Sequence, residues 1–362
     1  MADMFEYLRW RGDLLFADVP LNSVDSLVFS TLVYCDFAGI VQEDGQHPVP
    51  LHVAAEAFLN LPDPEERVRV KNDLRLLQAA AETARFRDVT LSFYRSILIP
   101  EAETQFAAMV FGLPDGTYFL AFRGTDYSLT GWKEDFNMSF SDSVPAQRAA
   151  AAYTEEFASG MPVLLRLGGH SKGGNLAVYA AAKAQENVRR RILSVYNLDG
   201  PGFTEKLLAD PGYLAIVPKV RTIIPESSII GILLEHEGDY TVISSRQVGI
   251  LQHEPYSWEI MAGDFIRVKQ MSGHTQFVDR TIKNWIQDMS KEERSAFVEA
   301  LFGLLSAGGA GTVQDLLHPK NIRSFFSTLK SDEPTKKLLT AEFTELLKAA
   351  VSALPRYSKE QE

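Results

Sequence analysis

Runs of consecutive apolar residues, typical of buried strands, alternate with segments of helical periodicity over most of the chain. The runs predict strands at 106–111, 117–122, 163–167, 192–198, 220–224 and 240–244. Strands that alternate with helical segments are typical of α/β proteins with a mostly parallel, doubly wound sheet. The pattern therefore predicts an α/β fold.

Local signals place several elements more closely. Asn22 or Ser23 is suited to cap a first helix that runs to about residue 34. A second helix is predicted at 64–86, because Pro64 and the acidic residues after it are typical of a helix start. Pro114, Asp115 and Gly116 between the first two strands predict a hairpin turn. A polar, aromatic stretch at 127–144 is predicted to be a long irregular loop, either a lid over a site or a filled corner of the core.

From about residue 281 only helices are predicted. Ser290 and Glu293 form a capping-box pattern ahead of one helix, and an apolar stripe from 343 to 354 indicates a last one. We therefore predict an α/β domain at 1–280 and a C-terminal helical appendage at 281–362.

The composition of the chain excludes several classes of protein. The net charge of −11 argues against a nucleic-acid partner, since such proteins present a basic face. Cys35 is the single cysteine among 362 residues, which excludes a disulfide framework and a thiolate metal cluster; we expect Cys35 in the core. The N-terminus lacks a signal-peptide core and no apolar run reaches the ~20 residues of a membrane helix, so we expect a cytoplasmic protein.

The most informative stretch is Gly169-His170-Ser171-Lys172-Gly173, a G-x-S-x-G pentapeptide. It lies between a predicted strand and a predicted helix, which is the context of a nucleophile elbow. In such a turn the neighbouring backbones approach closely, so glycines are needed where a Cβ would clash. Ser171 is therefore the candidate nucleophile, and His170 is expected to have a packing role.

A serine hydroxyl needs a general base, and the base needs a group that orients it. His236, His253 and His274 are the candidate bases in the region of the last predicted strands and beyond, and His253 is favoured because it lies just after the last one. Asp199 and Glu226 each follow a strand at the edge where sites of α/β sheets form. We expect Asp199 to be the acid, because its Asp-Gly-Pro-Gly turn would hold it rigidly, with Glu226 as the alternative.

Acyl transfer also needs donors for the oxyanion. The backbone N–H of Lys172 is one candidate, and Thr125, in the Arg123-Gly124-Thr125 turn after a strand, is the other. For Arg123 itself we expect a structural ion pair, with Asp126 or Asp135.

These motifs, in this order, resemble class 3 lipases, and the chain is still more similar to a bacterial family of unknown function related to those lipases. The resemblance covers about residues 22–258 and includes FRGT at 122–125, the stretch 132–135, GHSKGG at 169–174, NLDGPGF at 197–203, 225–233, and Gln252-His253 with Trp258. It implies an α/β-hydrolase fold, Ser171 as nucleophile, Thr125 and Lys172 at the oxyanion hole and His253 as base. Two positions depart from the lipases: Lys172 replaces their usual leucine and would put a charge at the rim of the site, and no aspartate stands near 226–228, where theirs would fall.

The sequence thus predicts a serine hydrolase that cleaves carboxylic esters through an acyl-enzyme, with no cofactor and no metal. Two alternatives stay open. The same residues would serve a thioesterase, amidase or acyltransferase, and a degraded triad would leave a hydrolase fold that acts as a binding module. The expected partner is a small-molecule or lipid acyl ester, and the oligomeric state is not encoded in any pattern we recognise.

Overall fold

An eight-stranded sheet, with its strands in chain order, forms the centre of the computed structural model. The structure describes residues 2–99, 103–126, 128–138, 141–228, 230–231, 240–271, 290–310, 315 and 318–331. The strands are β1 Val49–Pro50, β2 Thr90–Ile99, β3 Thr104–Gly112, β4 Tyr118–Phe122, β5 Leu165–His170, β6 Ile192–Leu198, β7 Val220–Pro225 and β8 Tyr240–Ile243. Neighbours from β1 to β4 are antiparallel, and neighbours from β4 to β8 are parallel. The predicted α/β fold with a mostly parallel sheet is confirmed.

Both faces of this sheet are buried, which explains the continuous apolar runs of its central strands. Every residue of β3 is buried. Met109 and Phe111 pack into one core cluster, whereas Ala108 and Val110 pack into the other, as the two-residue repeat of a strand requires.

Different parts of the chain cover the two faces. The first core cluster includes residues of the N-terminal helices α1 Met4–Arg11, α2 Ser23–Leu32, α3 Leu51–Leu59 and α4 Lys71–Glu82. The second includes residues of α6 Pro145–Gly160, α7 Lys172–Lys183 and α10 Pro211–Ile216, which lie between the parallel strands in sequence. A doubly wound sheet covers its second face by reversing the strand order. Here the order never reverses in the described sheet, and the N-terminal helices cover that face instead, so the prediction of a doubly wound sheet is wrong.

The predicted hairpin is present as β3 and β4. Asp115 Oδ1 accepts hydrogen bonds from the Thr117 backbone N–H (2.9 Å) and hydroxyl (2.6 Å), and Gly116 has φ +80°. Asn22 caps α2 by accepting from Val24 N and Asp25 N, so of the two predicted caps Asn22 is the correct one.

The single helix predicted at 64–86 is wrong. The chain forms a 3₁₀ turn at Pro64–Arg67, becomes extended at Val68 and Val70, and begins α4 at Lys71. Stiff β-branched side chains favour extended backbone at these positions, and the Asp73 carboxylate accepts from Val70 N at 3.0 Å to start the new helix.

The stretch 127–144 is also not a wholly irregular loop, because residues Leu129–Asn137 form helix α5. The side chain of Ser128 caps it by accepting from Gly131 N at 3.1 Å. Near the C-terminus the structure describes α11 Lys291–Ser306 and α12 Pro319–Ser331. The predicted capping box at Ser290 and Glu293 is confirmed, and Phe302 of α11 packs on Phe136 of α5 with ring centroids 5.6 Å apart.

The chain also forms two short helices, α8 Glu186–Arg189 and α9 Glu205–Leu208, and a small hairpin of β9 Ile260–Met261 and β10 Asp264–Phe265. No helix in the described ranges is long and apolar enough to cross a membrane. The predicted domain boundary at 280, His236, His274 and the predicted helix at 343–354 lie outside the described residues.

Candidate active site

Ser171 stands at the turn between β5 and α7, as the sequence predicts. Its backbone has φ 59° and ψ −135°, a conformation that is costly for a residue with a side chain, about 1–3 kcal/mol. Two backbone hydrogen bonds hold it there: Ser171 N donates to Leu198 O and Gly174 N donates to Ser171 O, both at 2.9 Å. The neighbouring strand and the first turn of the helix thus fix the strained residue.

The glycines around Ser171 are required by close backbone contacts. A Cβ at Gly169 would overlap the backbone of Gly173, and a Cβ at Gly173 would overlap the carbonyl oxygen of Phe122. A Cβ at Gly124, in the turn after β4, would lie 3.1 Å from the Ser171 Cβ. The predicted steric need for glycine is confirmed, and the turn after β4 lies directly beside Ser171.

Asp199 and His253 are paired. Asp199 follows β6 with φ 55°, and its side chain is completely buried. Its Oδ2 lies 2.7 Å from His253 Nδ1, and its Oδ1 accepts from the Ser228 hydroxyl at 2.5 Å. Because the carboxylate only accepts, Nδ1 carries the proton of the neutral His253 ring and Nε2 is left without one.

Glu226, the alternative acid, does not reach His253. It follows β7 and is half-buried, and its backbone N–H donates to Ile243 O at 3.0 Å. Within the described parts of the chain its carboxylate makes no hydrogen bond to His253.

The turn that carries His253 is held on several sides. Trp258 Nε1 donates to Gln252 O at 2.8 Å, and Ser227 N donates to Gln252 Oε1 at 2.7 Å. Arg69 makes a bidentate ion pair with Glu254 at 2.8 and 3.0 Å. The backbone on both sides of His253 is therefore anchored.

His170 forms part of this support, in line with its predicted packing role. The residue is buried, with its ring centroid 4.6 Å from that of His253. Its Nε2 donates to His253 O at 2.8 Å, since a carbonyl only accepts, so its Nδ1 accepts from the Tyr34 hydroxyl at 3.2 Å. Burial, and next the nearby charge of His253, lower the pKa of His170 well below its ordinary value, so it stays neutral.

The turn Arg123-Gly124-Thr125 follows β4 and brings Thr125 to the same edge of the sheet. The Thr125 hydroxyl donates to Asp135 Oδ2 on helix α5 at 2.6 Å. Lys172 is the first residue of α7, so its backbone N–H has no partner within the helix. The two residues predicted for an oxyanion hole are therefore both anchored near Ser171.

The predicted charge of Lys172 at the rim of the site is wrong. Its side chain is 1% exposed and points beneath α5, where Nζ donates to Glu134 Oε2 at 3.0 Å. The buried carboxylate compensates the ammonium, which would otherwise be too costly to remove from water.

The ion pair predicted for Arg123 is not present among the residues described. Asp126 Oδ1 accepts from Ser128 N instead, at 2.7 Å, and Asp135 Oδ2 accepts from Thr125. Within the part of the chain that the structure describes, the buried Nε of Arg123 has no hydrogen-bond partner.

Asp135 has an unusual environment. Burial raises its pKa to about 6, against the opposing influence of Lys172 and the hydrogen bond from Thr125, and with a smaller contribution in the same direction from Glu134. Its second oxygen, Oδ1, is buried, lies 3.9 Å from Lys172 Nζ and makes no hydrogen bond among the described residues.

Sequence reasoning misses four contributors: Ser228, Glu134, Tyr34 and Gln105. Ser228 lies in the Pro-Glu-Ser-Ser stretch after β7, a strand end of the kind that supplies candidate residues. Glu134 is next to Asp135 in the resembling stretch. Tyr34 lies in an ordinary apolar run, and Gln105, which accepts from Lys172 Nζ, directly precedes one. No local signal marks either residue. In the described residues no group of three or more His, Cys, Asp or Glu side chains is arranged to hold a metal.

Together, fold and site define an α/β protein that presents a strained serine, a histidine paired with a buried aspartate and a glycine-containing turn at the carboxyl edge of the parallel strands. A family model described as Mbeg1-like matches residues 80–303, which is more than half of the 362 residues. The chain belongs to the Mbeg1-like family.

Solved structures similar to this chain are lipases with low sequence identity. The Rhizomucor miehei lipase propeptide complex is 17% identical in its native form, over 67% of this chain and 82% of that one, with a TM-score of 0.37. A two-residue deletion mutant of that complex is 15% identical, over 63% and 76%, with a TM-score of 0.40. M37 lipase is 14% identical, over 67% and 84%, with a TM-score of 0.39. At these scores the similarity carries none of the functional argument. No curated protein matches the chain.

Proposed function

We propose that this chain is a serine hydrolase of the α/β-hydrolase fold that cleaves carboxylic esters through an acyl-enzyme. The observation that carries the proposal is the 2.7 Å contact between Asp199 and His253, at the sheet edge where Ser171 is held in a strained turn. A buried carboxylate on the Nδ1 side of a histidine leaves Nε2 facing away from it as a general base.

In the proposed first half-reaction, Ser171 Oγ attacks the ester carbonyl carbon while its proton passes to His253 Nε2. The carbonyl oxygen becomes an oxyanion, and the backbone N–H groups of Thr125 and Lys172 donate to it. When the intermediate collapses, the bond to the alkoxide breaks and His253 returns the proton to the leaving alcohol.

The second half-reaction repeats these steps with water. His253 Nε2 takes a proton from water as the water oxygen attacks the acyl carbon, and the proton then returns to Ser171 Oγ as the acid leaves. Throughout, Asp199 keeps the histidine ring in one tautomer and stabilises the imidazolium that forms twice in the cycle.

A binding module on the same fold is the second candidate. It is favoured by one observation: Ser171 is 7% exposed and, within the described chain, its hydroxyl makes no hydrogen bond. Catalytic hydrogen bonds are often long without substrate and tighten in the complex, so the ester hydrolase remains our proposal.

Labelling with a fluorophosphonate probe separates the two. We expect the wild type to be labelled and the Ser171→Ala variant to be unlabelled with unchanged thermal stability. The His253→Ala variant should also be unlabelled, with a lower melting temperature because the buried Asp199 carboxylate loses a partner. His52→Ala, at a distant half-exposed histidine, is the matched control. Folded wild-type protein that takes no label, or label that survives in Ser171→Ala, would favour the binding module. A panel of ester, thioester and amide substrates with the same acyl group would then assign the bond type.

A further inference from the structure

The ammonium of Lys172 has a full set of partners in the interior of the protein. Nζ donates to Glu134 Oε2 at 3.0 Å, to Gln105 O at 3.2 Å and to Gln105 Oε1 at 3.4 Å. An ammonium has three protons, so this set accounts for all of them. The side chain joins the first turn of α7 to helix α5 and to strand β3.

Glu134 is equally well satisfied. It is completely buried, and besides Lys172 it accepts from Gln105 N at 3.2 Å and from Ala146 N at 2.9 Å. A buried ion pair gives little net stability compared with well-packed apolar residues of similar size. A contribution to stability therefore does not by itself explain why this ion pair lies beside Ser171.

The location points to the oxyanion hole. The backbone N–H of Lys172 is one proposed oxyanion donor, and the ion pair between its side chain and Glu134 fixes the start of α7. The next residue of α5, Asp135, holds Thr125, the other proposed donor, through a 2.6 Å hydrogen bond. Two consecutive carboxylates of α5 thus hold the two proposed oxyanion donors: Glu134 pairs with Lys172, and Asp135 accepts from Thr125.

We propose that the buried Lys172–Glu134 ion pair is a positioning device for the oxyanion hole: it sets the Lys172 backbone N–H relative to helix α5, and through α5 relative to Thr125. The inference rests on the proposed function and deepens it. Lys172 acts through its backbone as a donor, and its side chain and Glu134 are positioning groups. A shift of donor position by about 1 Å is enough to cost substantial rate.

The test uses Lys172→Met, which keeps the length of the side chain and removes its charge. Because this change leaves the Glu134 carboxylate buried without its counter-ion, it is strongly destabilising in the worst case. A second variant, Lys172→Met with Glu134→Gln, removes both charges. The control is Lys183→Met, at the far end of the same helix, where the lysine pairs with Asp210 and is half-exposed.

Each protein is assayed with 4-nitrophenyl acetate and with its thionoester, in which sulfur replaces the carbonyl oxygen. Sulfur is larger and a weaker acceptor, so an oxyanion hole favours the oxygen substrate, and a displaced donor reduces that preference. We expect both Lys172 variants to lose about tenfold or more in kcat on the oxoester with KM within about twofold of wild type, and the oxoester-to-thionoester ratio to fall by a similar factor. Lys183→Met should leave both values unchanged.

An unchanged ratio with unchanged kcat in a folded Lys172 variant would overturn the positioning role while leaving the hydrolase proposal intact. Wild-type protein without Ser171-dependent turnover would overturn both. If neither Lys172 variant folds, the pair stabilises the fold as a whole, and the assignment of a local role is wrong.

Discussion

Asp199 Oδ2 and His253 Nδ1 lie 2.7 Å apart although 54 positions separate the two residues in sequence. Asp199 directly follows strand β6, and His253 lies in a turn anchored by Arg69, Trp258 and His170. The carboxylate is completely buried, whereas the histidine side chain is 25% exposed. Asp199 is therefore fixed in the interior of the protein, whereas His253 is accessible from the site.

Asp199→Asn tests whether this pair drives the chemistry. The amide keeps the volume of the carboxylate, but its NH₂ group favours the wrong histidine tautomer. We expect kcat on a 4-nitrophenyl ester to fall on the order of 10³-fold or more, with KM little changed. Glu226→Gln, at the alternative acid, should stay within about twofold of wild type. The reverse pattern would assign the acid to Glu226.

Ser228→Ala removes the second hydrogen bond on the same carboxylate. The Ser228 hydroxyl donates to Asp199 Oδ1 at 2.5 Å and accepts from Gly231 N at 2.9 Å. Without it, one oxygen of a buried carboxylate loses a partner, which costs about 1–3 kcal/mol. We expect a lower melting temperature and a several-fold drop in kcat, because the remaining bond to His253 holds the ring less firmly. Ser92→Ala, a buried serine in β2, is the control: its kcat should equal that of wild type.

Much of this site follows from local sequence signals. The G-x-S-x-G turn requires close backbone contacts that only glycine permits, and strand-end positions of a parallel sheet converge at one edge, so Ser171, Asp199 and Thr125 can be placed without coordinates. The pairing of Asp199 with His253 can also be predicted from the sequence, because few carboxylates and histidines follow the strands.

The contacts that set the geometry are not predictable in the same way. The sequence places Lys172 at the rim because it adjoins the nucleophile; its burial depends on Glu134, 38 residues earlier in the chain. Likewise the helix expected at 64–86 breaks at Val68 and Val70, where Asp73 starts a new helix. Both outcomes depend on tertiary partners, which local propensity does not encode.

Tyr34→Phe tests the support behind His253. The change removes the hydroxyl that donates to His170 Nδ1, leaving a buried acceptor unpaired at a cost of about 1–3 kcal/mol. Since His170 Nε2 donates to the His253 carbonyl, we expect kcat to fall about two- to fivefold as well. Tyr94→Phe is a matched control, because Tyr94 donates to Asp36 at 3.0 Å away from this turn. It should lose stability without losing kcat; an equal kcat for both variants would contradict the role given to His170.

Gly173→Ala tests the close contact between α7 and β4. The new Cβ would overlap the carbonyl oxygen of Phe122, which is backbone and has no room to yield. We expect a loss of about 3 kcal/mol in the free energy of unfolding, measured by denaturant titration. Gly160→Ala, at the end of α6, meets no heavy atom within 4 Å and should change stability by less than about 0.5 kcal/mol. Similar values for the two variants would refute the close approach.

Asp135→Asn gives a prediction with a definite sign in pH. Burial raises the pKa of Asp135 from 3.8 to about 6 in the folded protein, so between these values the folded state binds more protons than the unfolded state. The contribution of the protonated carboxyl is fully present below pH 3.8 and is lost as the pH rises through about 6. The free energy of unfolding of the wild type, minus that of Asp135→Asn, should therefore fall between about pH 4 and pH 7, by an amount on the order of 1–3 kcal/mol.

Asp126→Asn, in the neighbouring turn, is the matched control with the opposite sign. Burial acts to raise the pKa of Asp126, but hydrogen bonds from Ser128 outweigh it and hold that pKa below the ordinary value. The stability that Asp126 contributes is therefore present at neutral pH and is lost as the pH falls through its lowered pKa. Denaturant titrations of the three proteins across about pH 4–7 should show the Asp135→Asn difference falling while the Asp126→Asn difference stays nearly constant, because the loss for Asp126 lies at lower pH. If the difference for Asp135→Asn stayed flat, Asp135 would be ionised throughout this range, and Thr125 would donate to a charged carboxylate at every pH within it.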